Sequence, residues 1–141
     1  MKIKIVETPE EKEHAYQVRT IVFVEEQKVP IEEEIDHHDE TAIHFVGYKD
    51  NIPITASRLR FVEEYGKLER ICVLKEYRGK SFGKELILAM ENIIREKGFN
   101  KAKLNAQTHA ENFYKKLGYI TVSGEFLDAG IPHVTMIKEI M

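Results

Sequence analysis

The first half of the chain contains four segments in which apolar and polar residues alternate, the pattern of strands with one buried face. They cover residues 2–7, 42–49, 54–62 and 67–74. Turn-forming residues separate the last three segments, first at Asp50-Asn51 and then at Glu64-Tyr65-Gly66. The pattern predicts an N-terminal strand and, later in the chain, a three-stranded antiparallel meander.

Two longer segments have the features of helices. The stretch Thr8-Pro9-Glu10-Glu11 predicts a capped helix start, and we expect this helix to run to about Glu26. Apolar residues recur at helical spacing from Ser81 to Lys97, and Gly98 ends that helix. Residues 27–41 are polar and acidic without a clear period, which predicts a loop or a short helix.

The C-terminal part continues with a strand at 99–106, a short helix at 109–117, and two strands near 119–126 and 133–140. A meander followed by β-α-β-α-β predicts an α/β (α+β) fold. We expect one domain, residues 1–141, with a mixed, mostly antiparallel central sheet of about six to seven strands flanked by helices.

The composition narrows the class of protein. The chain is 43% hydrophobic and 32% charged, with a net charge of -3 and a single cysteine, Cys72. No apolar run approaches the ~20 residues of a membrane span, and the N-terminus lacks a secretory pattern. We therefore expect a cytoplasmic protein without disulfides, with neither membrane nor nucleic acid as partner. Any anion site must be local.

One local candidate for such a site is Arg78-Gly79-Lys80-Ser81-Phe82-Gly83, which lies between a predicted strand and the start of a helix. Helix N-termini offer unpaired N–H groups to anions, and the glycines allow close approach of a ligand. The spacing does not match the P-loop, and the dinucleotide fingerprint GxGxxG is absent. The loop is therefore predicted to bind phosphate in another way.

This loop resembles the pyrophosphate loop of the GNAT superfamily of N-acetyltransferases, whose pattern is Arg/Gln-x-x-Gly-x-Gly/Ala. A second stretch, AQTHAENFYKKLGY, resembles the family's Asn-x-x-Ala-x-x-Phe-Tyr-x-x-x-Gly-Phe/Tyr segment. The two stretches stand in the family's order and separation, and the resemblance covers nearly the whole chain. Two positions depart from the pattern: Ser81 replaces a usual glycine, and Gln107 replaces a usual asparagine.

The chain resembles more closely a bacterial GNAT subgroup of poorly defined substrate. The residues that carry this resemblance are Val22-Phe23-Val24, Glu26-Gln27, Glu34-x-Asp36-x-x-Asp39, Ala106-Gln107 and Gly130-Ile131-Pro132-His133.

The resemblance implies a GNAT fold and acetyl-CoA as the acetyl donor. The residues that it places at the cosubstrate are Ile71, Cys72, Val73, Arg78, Gly79, Lys80, Ser81, Phe82, Gly83, Lys84, Asn105, Gln107, Asn112 and Phe113. Ser81 is interpreted as a tolerated replacement that can start the helix if its φ is negative, with a hydroxyl that either caps the backbone or donates to a phosphate oxygen.

Two catalytic roles follow from the same resemblance. Tyr114 takes the place of the general acid that protonates the leaving thiolate; the alternative is a packing aromatic. Glu69 takes the place of the general base; the alternatives are an ion pair with arginine or a solvated strand end. Glu26, Glu34 and His133 are other candidates for the base. Strand alternation would put Glu69 on the same face as Ile71 and Val73, with Arg70 and Cys72 opposite.

The remaining charged residues are open to simpler interpretations. Arg58, Arg60 and Arg70 could pair with Glu69 or bind an anionic acceptor, but a solvated face is the stronger expectation. The acidic stretch Glu32–Asp39 is likewise expected to be solvated. The pair His37-His38 favours no metal site, because adjacent side chains are expected to diverge, and Cys72 is predicted to be a buried strand residue.

The prediction is an acetyl-CoA-dependent N-acetyltransferase that acts on a primary amine by direct transfer in a ternary complex. The alternatives are a non-catalytic acyl-CoA-binding module and a phosphate-binding domain unrelated to CoA. The acceptor remains open between small amines, amino acids, polyamines and protein amines. A homodimer is possible, as in many GNAT relatives.

Overall fold

The computed structural model describes the whole chain, residues 1–141. The strands are β1 (Lys2–Ile5), β2 (Ile43–Lys49), β3 (Ile52–Val62), β4 (Tyr65–Val73), β5 (Lys101–Gln107), β6 (Ile120–Thr121), β7 (Phe126–Asp128) and β8 (Ile131–Glu139). They form one sheet in the order β1-β2-β3-β4-β5-β8-β6, with β7 also paired to β8. Every pair is antiparallel except β4–β5.

The helices flank this sheet. They are α1 (Pro9–Arg19), which continues as a π-helix (Thr20–Glu26), then α2 (Ile31–Glu34), α3 (Phe82–Glu96) and α4 (Glu111–Lys116). Short 3-10 turns cover His37–Glu40, Lys75–Tyr77 and Thr108–Ala110. None of the helices combines the length and apolar character needed to cross a membrane.

The two faces of the sheet have separate cores. The larger core packs α3 against the sheet through Leu86, Ile87, Met90 and Ile94, all fully buried. A smaller cluster packs α1 and the π-helix against the opposite face. Gly66 of β4 is required for the close approach of α3, because a Cβ there would overlap the side chain of Ile94.

The predicted fold class is confirmed, and the order of the elements follows the sequence pattern. The predicted N-terminal helix does reach Glu26, but its last part is a π-helix from Thr20 onwards. The strand expected near 119–126 is divided into β6 and β7, which gives eight strands. The turn after β3 falls at Glu63-Glu64, so Tyr65 already pairs with Val62.

A β-bulge interrupts the pairing of β3 and β4. Arg58 pairs with Glu69, but Ala56, two residues earlier in β3, pairs with Cys72, three residues later in β4. The extra residue of β4 is accommodated at Arg70, whose φ is 56°. A bulge of this kind reverses the alternation of the strand beyond it.

The prediction that Glu69 shares a face with Ile71 and Val73 is therefore wrong. Glu69 lies on the α1 side of the sheet, as Cys72 does, whereas Ile71 packs on the α3 cluster. The alternation rule assumes a regular ladder, and the bulge adds one residue between these positions. As a result, β4 directs Glu69 and Ile71 to opposite sides of the sheet.

Candidate active site

A cleft opens where β4 and β5 separate. Their parallel ladder joins only residues 66–68 to residues 102–104, and beyond Leu68 and Leu104 the two strands diverge. The cleft has a volume of about 1230 Å³ and passes between the π-helix, the glycine loop, α4 and β8. Clefts of this size, lined by apolar groups with a few polar ones, are the usual form of a ligand site.

The divergence leaves one edge of β4 without a strand partner. The N–H of Leu74 donates to the carbonyl of Ile54 on β3, so the alternating peptide groups of Val73 point the other way, towards the cleft. The carbonyl of Val73 accepts a hydrogen bond from Arg78 Nε at 2.9 Å instead of from β5. This edge can receive the amides of an extended ligand.

The glycine loop forms the start of α3, as the sequence predicted, but Ser81 does not have the expected conformation. Its φ is 68° and ψ is 9°, in the left-handed region, and its side chain makes no capping hydrogen bond. The condition for a serine cap, a negative φ, is not met. The positive φ explains why the related pattern has glycine at this position, since glycine adopts that conformation without strain.

The side chain of Arg78 is already engaged in this structure. Its terminal nitrogens donate to both carboxylate oxygens of Glu26 at 2.6 and 2.7 Å, across the mouth of the cleft. Glu26 is thereby held as an anion, and the pKa of its carboxyl is lowered chiefly by the hydrogen bond to Arg78. This pairing makes Glu26 a weak candidate for the general base.

Most residues that the sequence placed at the cosubstrate line the cleft. These are Ile71, Cys72, Val73, Arg78, Gly79, Ser81, Phe82, Gly83, Lys84, Asn105, Gln107 and Phe113. Lys80 and Asn112 are exposed and lie outside the cleft lining. Lys80 instead has its ammonium 5.9 Å from the ring centre of Tyr77.

Tyr114 lies on the cleft wall with its ring in the core. It is only 9% exposed and contacts Tyr119 and Phe113 edge to face. Burial raises the pKa of its hydroxyl above the ordinary value, so the group is a neutral proton donor at physiological pH. The hydroxyl has no hydrogen-bond partner within the protein, which leaves it available to a ligand.

Cys72 lines the same cleft, but its thiol is not reactive. Burial raises the pKa of its thiol to about 12, and its Sγ donates to the carbonyl of Ala56 at 3.5 Å. A thiol in this state has almost no thiolate form. The structure agrees with the interpretation of Cys72 as a buried strand residue.

Glu69 also lines the cleft, but it is held in ion pairs. Its carboxylate receives hydrogen bonds from Arg58 Nε at 2.8 Å and from Arg60 at 2.9 and 3.0 Å, with Lys67 Nζ 3.1 Å away. Burial opposes its ionisation, but Arg60, Arg58 and Lys67 outweigh this and lower its pKa to about 2. Of the alternatives that the sequence left open for Glu69, the structure shows the ion pair with arginine. A carboxylate held in this way is a weak base.

Some of the arginines and acids expected on a solvated surface are instead buried, whereas Glu32 and Glu33 are exposed as expected. Arg58 is 2% exposed and bonds Asp36 and Asp39 as well as Glu69, while Glu34 and Asp39 are 2% and 3% exposed. For Arg58, Glu34 and Asp39 the expectation of a solvated face is wrong, because each of these charges has its partner on a different element. Burial opposes the ionisation of Asp39, but hydrogen bonds from Arg19 and Arg58 lower its pKa well below its usual range.

Arg19 is the member of this network that the sequence analysis missed. It is 1% exposed and bonds Glu34 at 3.0 Å and Asp39 at 2.7 Å. A possible signal was its position within the apolar run Val18-Arg19-Thr20-Ile21-Val22, where a charge must be paired. The network fixes the segment after the π-helix, including the base candidate Glu34, against the sheet.

His133 has a ring nitrogen that no other group of the protein occupies. Its Nδ1 lies 2.6 Å from the carbonyl of Ile131, and because a carbonyl only accepts, Nδ1 carries the hydrogen. Nε2 is therefore the nitrogen with the free lone pair. The ring lines the cleft, is 8% exposed and stacks on Phe126.

Gln107 occupies the position of the family's asparagine and connects two segments at the cleft. Its Nε2 donates to Gln27 Oε1 at 2.9 Å, and its Oε1 accepts from His109 Nε2 at 2.6 Å.

His37 and His38 do not diverge as expected, since their ring centres are 4.0 Å apart. The structure contains no group of three or more His, Cys, Asp or Glu residues arranged to hold a metal ion.

Comparison with known proteins gives the family. The family model described as acetyltransferase (GNAT) domain matches residues 7–140. The uncharacterized N-acetyltransferase YjcF of Bacillus subtilis (strain 168) is 47% identical over 140 residues, which cover 99% of this chain and 100% of YjcF.

Solved structures give the same result for the fold. The crystal structure of Escherichia coli ElaA has a TM-score of 0.88 at 27% identity, with 99% of this chain and 100% of ElaA covered. An aminoglycoside 6'-N-acetyltransferase in complex with coenzyme A has a TM-score of 0.79 at 17% identity, with 100% and 98% covered. The chain therefore belongs to the GNAT acetyltransferase family and is an acyltransferase.

Proposed function

We propose that this protein transfers the acetyl group of acetyl-CoA to a primary amine, directly and within a ternary complex. The observation that carries the proposal is the cleft formed where β4 and β5 diverge. Its free β4 edge suits the amides of a pantetheine arm, and the start of α3 suits a pyrophosphate. A structural neighbour that contains coenzyme A supports this assignment of the donor.

The chemistry requires an amine lone pair that attacks the thioester carbonyl, followed by cleavage of the C–S bond. In this proposal, backbone N–H groups of β4 beyond the bulge, at Ile71 and Val73, stabilise the oxyanion. The proton lost by the amine passes to His133 Nε2, and the departing thiolate takes the proton of the Tyr114 hydroxyl. Solvent restores Tyr114, and no covalent enzyme intermediate is needed.

The choice of His133 over Glu69 as the base has its own test. His133→Gln keeps a hydrogen-bonding side chain but cannot bind the proton, so it should lower kcat by about 10²-fold at neutral pH. This loss should shrink at high pH, where the amine deprotonates unaided. A pH–rate profile of His133→Gln that matches the wild type would reject this assignment.

The proposal as a whole is tested with an amine library. Release of free thiol from acetyl-CoA is followed with each amine, and acetyl-CoA without amine is the control. We expect thiol release that requires both protein and amine. Binding of CoA in calorimetry without turnover of any amine would support the acyl-CoA-binding module instead, and absence of CoA binding would refute both.

A further inference from the structure

The charged side chains beneath the cleft form one connected network with an excess of positive charge. Its cations are Arg19, Arg58, Arg60, Lys67 and Arg70, and its carboxylates are Glu34, Asp36, Asp39 and Glu69. Two histidines, His38 and His44, adjoin this network. Burial lowers the pKa of each imidazole, so neither adds charge at neutral pH. One cation of the network therefore lacks a carboxylate of its own.

Two cations of the network, Lys67 and Arg70, face the cleft, whereas Arg60 is 19% exposed outside it. Arg19 and Arg58 are almost fully buried, whereas the side chains of Lys67 and Arg70 are 22% and 23% exposed and both line the cleft. Arg70 uses Nε and one terminal nitrogen to bond Glu34, Asp36 and the carbonyl of Glu33. Its other terminal nitrogen, Nη1, has no partner in the protein.

The two carboxylates of the network that line the cleft, Glu34 and Glu69, are already paired with cations. Both oxygens of Glu34 are paired, one with Arg19 at 3.0 Å and the other with Arg70 at 2.9 Å. Both oxygens of Glu69 are likewise occupied by arginine and lysine nitrogens. The groups that this part of the wall offers to a ligand are thus the donors of Lys67 and Arg70.

Lys67 and Arg70 lie on the side of the sheet from which the acceptor amine would enter, and not on the side of the glycine loop that would hold acetyl-CoA. The bulge at Arg70 directs Glu69 to the α1 side of the sheet, whereas the glycine loop and α3 lie on the other side. An acceptor that enters from the α1 side meets Lys67 and Arg70 before it reaches the thioester. Two acids outside the network, Glu33 and Asp128, also line the cleft and can attract an ammonium group.

We propose that the acceptor is a small amine that carries a carboxylate, such as an amino acid, whose carboxylate binds between Arg70 Nη1 and Lys67 Nζ. The inference rests on the proposed acetyl transfer, whose substrate class it specifies. Charge-assisted hydrogen bonds from these two cations would hold the carboxylate end, which leaves the amine to reach the thioester. A polyamine or a neutral alkylamine has no group for these donors.

The test compares matched amines with and without a carboxylate. The pairs are L-leucine with isoamylamine, L-phenylalanine with phenethylamine, β-alanine with ethylamine, and 4-aminobutyrate with propylamine. We expect kcat/KM to be at least tenfold higher for the carboxylate member in one or more pairs. An equal or higher kcat/KM for the decarboxylated member in every pair would overturn the inference while leaving acetyl transfer intact.

Variants assign the effect to the two cations. Lys67→Gln should raise KM for the aminocarboxylate by about 10- to 100-fold, the scale of one charge-assisted hydrogen bond, with CoA affinity unchanged. Arg70→Gln should also raise KM for the aminocarboxylate, although this variant additionally loses the contacts of Arg70 to Glu34. Lys101→Gln is the matched control, because it removes an equal charge from an exposed pair with Glu64 outside the cleft. Equal KM values in Lys67→Gln and Lys101→Gln would refute the role of Lys67.

A binding measurement separates failure of this inference from failure of the proposed function. The same aminocarboxylates are titrated calorimetrically into the CoA-loaded protein. Saturable binding that Lys67→Gln weakens supports the site even if no amine is acetylated. If the CoA-loaded protein binds none of them, the inference is rejected, whatever the thiol assay gives.

Discussion

Replacement of Ser81 by glycine tests the conformation of the glycine loop. Ser81 has φ 68° and makes no capping hydrogen bond, so the serine carries a left-handed strain of about 1–2 kcal/mol without compensation from its hydroxyl. Glycine removes that strain but increases the entropy of the unfolded chain, which opposes the gain by about 0.4–1 kcal/mol. Ser81→Gly should therefore stabilise the protein by roughly 0–1.6 kcal/mol and raise Tm by up to about 6 °C.

The assay is denaturant unfolding of Ser81→Gly beside Ser81→Ala, together with calorimetric titration of CoA. The alanine variant removes the hydroxyl but keeps the strained backbone, so its stability should stay within about 0.5 kcal/mol of the wild type. The glycine variant should bind CoA equally or more tightly, because the backbone becomes more accessible. A loss of more than about 1 kcal/mol in both variants would refute the reasoning, and tenfold weaker CoA binding in both would make the hydroxyl a ligand contact.

Three further predictions concern the cleft. Tyr114→Phe keeps the buried ring and removes only the hydroxyl, so kcat should fall by about 10²-fold while calorimetric CoA affinity stays the same; normal turnover would make Tyr114 structural. Gly83→Val should weaken CoA binding with little loss of stability, because a Cβ there meets only ordinary contacts, at 3.6 Å to Phe113 and 3.7 Å to Val73; unchanged CoA affinity would contradict the assignment of the loop. The pKa of Glu69 is lowered to about 2 from 4.5, so ionised Glu69 contributes on the order of 3 kcal/mol to the free energy of unfolding above pH 4.5, and this contribution is lost as pH falls towards 2. When the free energy of unfolding is measured against pH, Glu69→Gln should lack this acid-dependent decrease.

The order of helices and strands could be predicted because local chemistry decides it. The capping box at Thr8 forms as the sequence indicated, with Thr8 Oγ1 accepting from the N–H of Glu11 at 3.1 Å. Asp50 and Asn51 both have positive φ in the tight turn between β2 and β3, as residues of that kind favour. These features depend on neighbours within a few residues, so the amino-acid sequence alone is sufficient to predict them.

Much of the candidate site also follows from short motifs. The glycine loop and the α4 segment with Tyr114 do line one cleft, because each is a contiguous stretch whose place in the fold is set by the elements around it. The departures at Ser81 and Gln107 were recognised, but not their consequences. Whether φ at Ser81 is positive depends on how the loop enters α3, which no propensity determines.

What the sequence determined by itself was the class of fold, the family and the location of the loop, since periodicity and contiguous motifs carry all three. The tertiary structure alone decided which charges are buried. Arg19 and Arg58 lie 20 and 19 positions from Asp39 in sequence, yet their side chains meet its carboxylate at 2.7 and 3.0 Å, and the three form a buried network. The bulge at Arg70 similarly puts Glu69 and Ile71 on opposite sides of the sheet, because one extra residue in a strand reverses the side to which every later side chain points. Both effects arise from contacts between distant segments, and local patterns of hydrophobic and polar residues do not encode such contacts.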